Sequence, residues 1–239
     1  MRHEFDFALE PARFVERPNR FLARVSINGN IEEAHVPDPG RLKELLVPNA
    51  EVMVRHNPSP GRKTDWTLTL VKKGGVWVSV NSTLPNTFVR DLLLQNRLPG
   101  FTEYSEINAE VTHKNSRFDF RLRNGETTYW MEVKSVTLVH QGVGLFPDAP
   151  TTRGTRHVRH LTEMLSGDVR TGVLFIVQRP DAELFAPNWI TDPEFAESLA
   201  EGHAAGVEIT VFTTQVEPTG ISLGKRIDYD LEHIYPLPD

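Results

Sequence analysis

The stretch Ser116-Arg117-Phe118-Asp119-Phe120-Arg121-Leu122-Arg123-Asn124-Gly125-Glu126-Thr127-Thr128-Tyr129-Trp130-Met131-Glu132-Val133-Lys134 alternates apolar and polar side chains on both sides of an Asn-Gly pair. That pattern predicts two antiparallel strands joined by a two-residue hairpin turn. With Asn124 and Gly125 as the central residues, Arg123 faces Glu126, Asp119 lies opposite Trp130, and Arg117 lies opposite Glu132. Asp119 is then diagonal to Glu132. Strand alternation puts Asp119, Glu132 and Lys134 on one face and Phe118, Phe120, Met131 and Val133 on the other. Diagonal neighbours sit roughly 7–8 Å apart at the backbone, a gap that two carboxylates bridge by sharing one hard cation.

Without a cation, two carboxylates facing one site raise each other's pKa and weaken the fold. Mg2+ or Mn2+ reverses that sign, because such ions prefer oxygen ligands, keep several waters, and lower the pKa of a bound water beside a scissile phosphate. Lys134 projects into the same site and suits the charge that builds on a pentacovalent phosphate. Glu110, on an expected strand just upstream, is the candidate third ligand, with Asp91 on the preceding helix as its competitor. The bland alternative is an exposed, salt-bridged hairpin face.

Around this hairpin, residues 1–82 read as short strands at 21–27, 31–36, 51–56, 65–72 and 76–80, interrupted by one short helix over Gly40–Leu46. Five strands and a helix suggest an OB-like β-barrel, a common oligonucleotide-binding scaffold. From residue 83 onward the rhythm changes to an amphipathic helix near 87–94, then alternating strands and helices, with helices expected near 155–165 and 193–205. This predicts an α/β domain with a mixed sheet over 83–239.

With 39% hydrophobic and 24% charged residues, disorder is excluded. No apolar run reaches the length of a membrane span and no secretory leader is evident, so a cytoplasmic protein without a membrane partner is expected. Having no cysteine, the chain cannot use thiolate-ligated metals or disulfides, and any metal must take carboxylate, imidazole or backbone oxygen. The net charge of −6 is set by residues 171–239, with 3 basic against 12 acidic side chains, whereas residues 1–82 hold 12 against 10 and residues 113–170 hold 9 against 6. The two basic segments suit a phosphate-binding face. Arg41, Arg55, Arg62 and Lys63 on the barrel, with Arg117, Arg153 and Arg156 on the second domain, are the expected DNA contacts. Arg153 and Arg156 belong to the start of an expected helix, where backbone N–H groups favour anions.

Phe146-Pro147-Asp148-Ala149-Pro150-Thr151-Thr152-Arg153-Gly154, together with Ser116-Arg117-Phe118-Asp119 and Glu132-Val133-Lys134-Ser135-Val136-Thr137-Leu138, resembles the sugar fermentation stimulation protein family. Ala34-His35, Pro39-Gly40, Glu110-Val111 and Leu174–Arg179 extend the resemblance over nearly the whole chain. It implies an N-terminal OB-like domain followed by a PD-(D/E)XK nuclease-like domain, DNA binding to single or double strands, and a link to sugar (maltose) utilisation. It also implies that Asp119 and the Glu132/Lys134 pair carry the nuclease motif. Taken with the strand and loop positions, the expected metal ligands are Glu110, Asp119 and Glu132, with Asp148 or Asp91 as supporting acids. The motif's helix acid has no unambiguous counterpart, and Asp38 stands where the family often has asparagine. The expected activity is that of a Mg2+- or Mn2+-dependent DNA endonuclease with little sequence preference. The alternative is a non-catalytic DNA-binding regulator. A third reading, a small-molecule or protein-binding module, draws only on the acidic C-terminal third, and a homodimer is compatible with the sequence.

Overall fold

A computed structural model of the chain describes residues 2–238. A short strand, β1 (Arg2–Glu4), precedes the barrel, which comprises β2 (Glu10–Asn19), β3 (Leu22–Ile27), β4 (Asn30–His35), β5 (Glu51–His56), β6 (Trp66–Lys73) and β7 (Val76–Ser79). Antiparallel pairing runs β4-β3-β2-β5-β6-β7, and a parallel contact between β4 and β6 closes five of these strands into a ring. The interior is mainly aliphatic, with Val25, Ala34, Val52, Val54, Leu68 and Val71 buried together with Phe14.

The OB-like expectation holds, but two of its parts change. β2 supplies the fifth strand of the ring, and Val76–Ser79 only extends β6 as a hairpin. Pro11 and Pro18 mask β2 in the sequence, because proline within a run argues against a strand. The expected helix over Gly40–Leu46 is a turn instead. Leu42 has φ +51°, which a right-handed helix cannot contain, and its N–H is bonded outside the segment.

The second domain follows as α1 (Leu84–Leu94), β8 (Glu106–His113), β9 (Ser116–Asn124), β10 (Thr127–Val136), β11 (Leu138–His140), β12 (Val143–Phe146) and α2 (Thr152–Glu163). It continues through β13 (Val169–Val177), β14 (Leu184–Pro187), α3 (Pro193–Ala205), β15 (Glu208–Glu217), β16 (Gly220–Arg226) and β17 (Asp228–Tyr229). Its main sheet is mixed, ordered β1-β16-β15-β13-β10-β9-β8, with β10, β13 and β15 parallel. The domain also carries a smaller sheet, β11-β12-β14-β17, which the sequence pattern does not predict. β1 pairs with β16, so residues 2–4 belong to the second domain's sheet although they precede the barrel.

Both faces of the main sheet are buried. Tyr129, Met131, Val133, Leu174 and Ile176 pack toward α1 and the barrel wall at Leu70, while Trp130, Val136, Val173, Phe175 and Val177 pack with Val158 and Leu161 of α2 and Phe195 and Leu199 of α3. A strand buried on both sides reads as a continuous apolar run, as Gly172–Val177 does. Against that background Glu132 and Lys134 are the charged exceptions on β10. The barrel is tied to this sheet by Gln178, whose Nε2 donates to Asn81 O at 3.0 Å and to Ser135 Oγ at 2.7 Å, and by Ser82 Oγ, which donates to Pro37 O at 2.8 Å. No helix among the described residues is long and apolar enough to cross a membrane.

Candidate metal centre

The hairpin turn forms one residue later than its Asn-Gly pair suggests. Asn124 pairs with Thr127, leaving Gly125 and Glu126 as the central residues, and of these only Gly125 has positive φ (58°). Glycine at the first central position is the requirement of a II′ turn. The register therefore moves by two, with Arg121 opposite Trp130 and Phe120 opposite Met131. A shift of two preserves the faces, so Asp119 falls directly beside Glu132 rather than diagonal to it.

The β9–β10 ladder ends at the Phe120/Met131 pair. Beyond it the Asp119 carboxylate takes the place of a strand carbonyl, its Oδ2 accepting from the Val133 N–H at 2.7 Å while Oδ1 accepts from Nδ2 of Asn86 on α1 at 2.6 Å. This break also overturns the expected place of Phe118. Its ring leaves the Phe120 face and packs on Trp130 (centroids 5.7 Å apart) and His157 (5.5 Å) beneath α2.

Glu132 is 4% exposed. Its Oε1 accepts from Nζ of Lys134 at 2.7 Å and lies 2.5 Å from Nδ1 of the buried His157, which is not aligned as a hydrogen bond. Its Oε2 has no protein partner. Burial pushes the Glu132 carboxyl up, but Lys134 and His157 together outweigh it and hold the group below its usual range. Asp119 goes the other way, raised to about 7 by burial and then by the charge of Glu132, which the Val133 N–H, Lys134 and Asn86 only partly offset. Two adjacent acids whose environments drive them apart form one coupled site. A buried, unpartnered carboxylate oxygen beside a second carboxylate fits a hard divalent cation. Among the described residues no group of three His, Cys, Asp or Glu side chains converges as a ligand set. The donors therefore fit a hydrated ion held by two carboxylates, as Mg2+ commonly is, and not a closed protein cage.

Asp119, Glu132 and Lys134 open into a cleft of about 360 Å3 whose other wall is the barrel, at Arg20, Asp38 and Gly40. The Phe146–Thr151 loop forms its side, and Arg153 stands at its lip. Arg17 shapes the barrel wall by donating to the carbonyls of Arg20, Asp38, Gly40 and Arg41. Asp148 lines the cleft, but its Oδ2 accepts from the Leu42 N–H, so it serves the domain junction. With Asp38 and Glu44 it makes an acid-rich seam. Burial raises Asp38 to about 6 and Glu44 to about 7, with Asp148 adding to both.

Neither proposed third ligand reaches the cleft. Glu110, at φ +54° on β8, is exposed and pairs with Arg117 at 3.1 Å, so neither residue of that pair lines the cleft. Asp91 pairs with Nδ1 of His3 at 2.7 Å. Of the expected basic contacts only Arg153 borders the cleft; Arg156 and Arg41 are exposed nearby in sequence, and Arg55 lies over the Phe7 ring, 3.9 Å from its centroid. Arg62 and Lys63 line a separate groove on the barrel. The α2 cap is Thr151, whose hydroxyl accepts from the Gly154 N–H at 3.0 Å. Sequence reasoning missed Asn86, Arg20 and the role of His157. For His157 a signal existed: it sits three residues after Gly154 and four before Leu161, on the buried stripe of α2.

An OB barrel and a mixed-sheet α/β domain that share one cleft, with a carboxylate pair on the sheet side, define the class. Residues 15–80 match the SfsA N-terminal OB domain and residues 83–220 match the Sugar fermentation stimulation protein RE domain. The chain belongs to the sugar fermentation stimulation protein family. The homolog from Acetivibrio thermocellus is 49% identical over 210 residues, covering 87% of this chain and 90% of that protein. The homolog from Desulforamulus reducens is 43% identical over 220 residues, covering 92% of each. The solved structure of Pyrococcus furiosus SfsA in complex with Ca2+ superposes with a TM-score of 0.86 at 27% identity, over 96% of this chain and 99% of that one.

Proposed function

We propose that this chain is a divalent-metal-dependent phosphodiesterase acting on DNA with little sequence preference, its second domain working as a PD-(D/E)XK-type nuclease. The observation that carries this reading is the buried Oε2 of Glu132, without a protein partner, beside Asp119 and Lys134 in a cleft open to the barrel. The Ca2+ bound by the Pyrococcus furiosus relative supports a divalent ion here, for which Mg2+ or Mn2+ is the proposed physiological choice. Such an ion supplies Lewis-acid stabilisation of phosphate and a more acidic water. Asp119 and Glu132 would hold it, with Asn86 and the Val133 N–H orienting the first and the buried His157 packed against the second. Lys134 places an ammonium against charge developing on the phosphate. Arg153 at the cleft lip holds the phosphodiester by its non-bridging oxygens, a contact that carries no sequence information.

Calorimetric titration with Mn2+ should show binding that is lost in Asp119→Ala and Glu132→Ala. Plasmid and single-stranded circles incubated with Mn2+ should be nicked, and Lys134→Ala should abolish nicking. Metal binding unchanged in both carboxylate variants would overturn the site. A second reading, a DNA-binding regulator tied to sugar utilisation, has one observation in its favour: Lys134 already neutralises Glu132 at 2.7 Å, so that carboxylate has a counter-charge without a cation. DNA retention without cleavage under any divalent ion would select it.

A further inference from the structure

The turn joining β2 to β3 serves two concavities at once. Arg20 faces the acid cleft, while its neighbour Phe21 faces a groove of about 520 Å3 on the barrel surface, bordered by Glu33, His35, Arg62 and Lys63. Phe21 is 52% exposed, which for a single apolar side chain is unremarkable. Its backbone, however, is pinned on both sides: the Phe21 N–H donates to Asn19 Oδ1 at 2.9 Å, and its carbonyl accepts from Val36 N at 2.9 Å and lies 3.1 Å from Nδ1 of His35. The Phe21 and His35 rings lie nearly parallel, at 18° with centroids 6.5 Å apart. A flat aromatic pair is thus presented to solvent on a rigid mount.

The charges beside it are placed with similar economy. Arg62 is fixed by donating from Nε to Thr64 O at 3.3 Å and from Nη2 to Thr67 Oγ1 at 2.8 Å, and Lys63 next to it is exposed. Glu33, the one acid of the groove, is held by Arg24 at 3.7 Å. Aromatic faces flanked by cations, here the fixed Arg62 and the exposed Lys63, are the chemistry of base stacking beside a phosphate backbone. A paired duplex hides its base faces, so such a surface selects an unpaired strand.

We infer that this groove binds the unpaired bases of a single nucleic-acid strand, and that the Asn19–Leu22 turn passes the strand's next phosphate by Arg20 into the acid cleft. The strand path rests on the phosphodiesterase reading of that cleft; the groove itself does not. Arg20 then acts as a positioning residue on the barrel side, opposite Lys134 and Arg153.

The test is fluorescence anisotropy of labelled oligodeoxythymidine and of a blunt duplex of equal length, with the full chain in EDTA so that no turnover is needed. The wild type should favour the single strand, Phe21→Ala should weaken that binding about tenfold and leave the duplex unchanged, and Phe21→Trp should restore it. Arg20→Ala and Lys63→Ala should each reduce the salt dependence of single-strand binding by about one phosphate contact. Single-strand affinity unaltered in Phe21→Ala, equal losses on both strand forms, or no binding of the oligonucleotide by the wild type would each overturn the inference. Absence of nicking in Mn2+ with the anisotropy pattern intact would sink the phosphodiesterase reading and leave the groove standing.

Discussion

The backbone N–H of Leu42 donates to Oδ2 of Asp148 at 2.6 Å, across 106 residues of chain, and so bolts the barrel to the second domain at the edge of the acid cleft. The bond performs two opposed services. It satisfies a donor that the left-handed conformation of Leu42 has taken out of local pairing, and it holds a carboxylate close to Asp38 and Glu44. Asp148→Asn keeps an acceptor oxygen and removes the charge. Asp148→Ala removes both, leaving a buried donor unsatisfied at about 1–3 kcal/mol. In urea denaturation at pH 8, Asp148→Asn should be at least as stable as wild type and Asp148→Ala less stable than Asp148→Asn. Equal midpoints for the two variants would show that the Leu42 bond contributes nothing.

Gly40 occupies the same junction. A Cβ there would stand 2.8 Å from Asp38 Oδ1 and 3.0 Å from Asp148 Oδ2, and neither oxygen is free to retreat, because the first accepts from the Gly40 N–H and the second from Leu42. Gly40→Ala should therefore cost about 1–3 kcal/mol, the usual range for overpacking. Thermal unfolding with and without the substitution measures this, and an unchanged melting temperature would mean that the 38–42 loop yields easily.

The acid seam sets a pH dependence of unusual direction. Asp38 is raised from 3.8 to about 6 and Glu44 from 4.5 to about 7, chiefly by burial. For both groups the folded chain binds more protons than the unfolded chain between these values, so this stability is fully present only below pH 3.8 and is lost as pH rises through 7. The displacements correspond to about 3 kcal/mol for Asp38 and slightly more for Glu44 as upper limits. In EDTA, the urea midpoint should fall from pH 5.5 to pH 8, and Glu44→Gln should flatten that fall by stabilising the chain at pH 8. An identical slope in the variant would remove Glu44 as a cause.

These effects show where the sequence is legible and where it is not. Period-two alternation with an Asn-Gly signal locates the β9–β10 hairpin and puts Asp119 and Glu132 on adjacent strands, because local pattern and turn chemistry suffice for that. The turn itself slips by one residue, since Gly125 suits the second position of a I′ turn as well as the first of a II′ turn, and the choice belongs to the strands it joins. Glu110 fails for a different reason: its left-handed φ turns it to solvent and Arg117, a backbone conformation that nothing in its neighbours announces. The helix assigned to Gly40–Leu46 fails because its local propensity is overridden by a bond to Asp148, far along the chain. The barrel's contribution to the cleft, through Arg20, Asp38 and Gly40, is a docking relationship, and no periodicity encodes docking.

The two side chains flanking Glu132, Lys134 and His157, should move metal affinity in opposite directions. Lys134 occupies Oε1 at 2.7 Å as a competing positive charge, partly shielded from water, whereas the buried His157 ring stands 2.5 Å from the same oxygen and limits where the carboxylate can turn. Removing the competitor with Lys134→Ala frees Glu132 for an incoming ion, so Mn2+ should bind about tenfold more tightly at pH 8, even as the proposed nicking is lost. Removing the support with His157→Asn should weaken Mn2+ binding about 10- to 100-fold, as loss of an orienting neighbour commonly does. Isothermal titration of both variants against wild type decides it. If both weaken Mn2+, Lys134 orients Glu132 instead of competing for it, and its assignment to the phosphate would have to be given up.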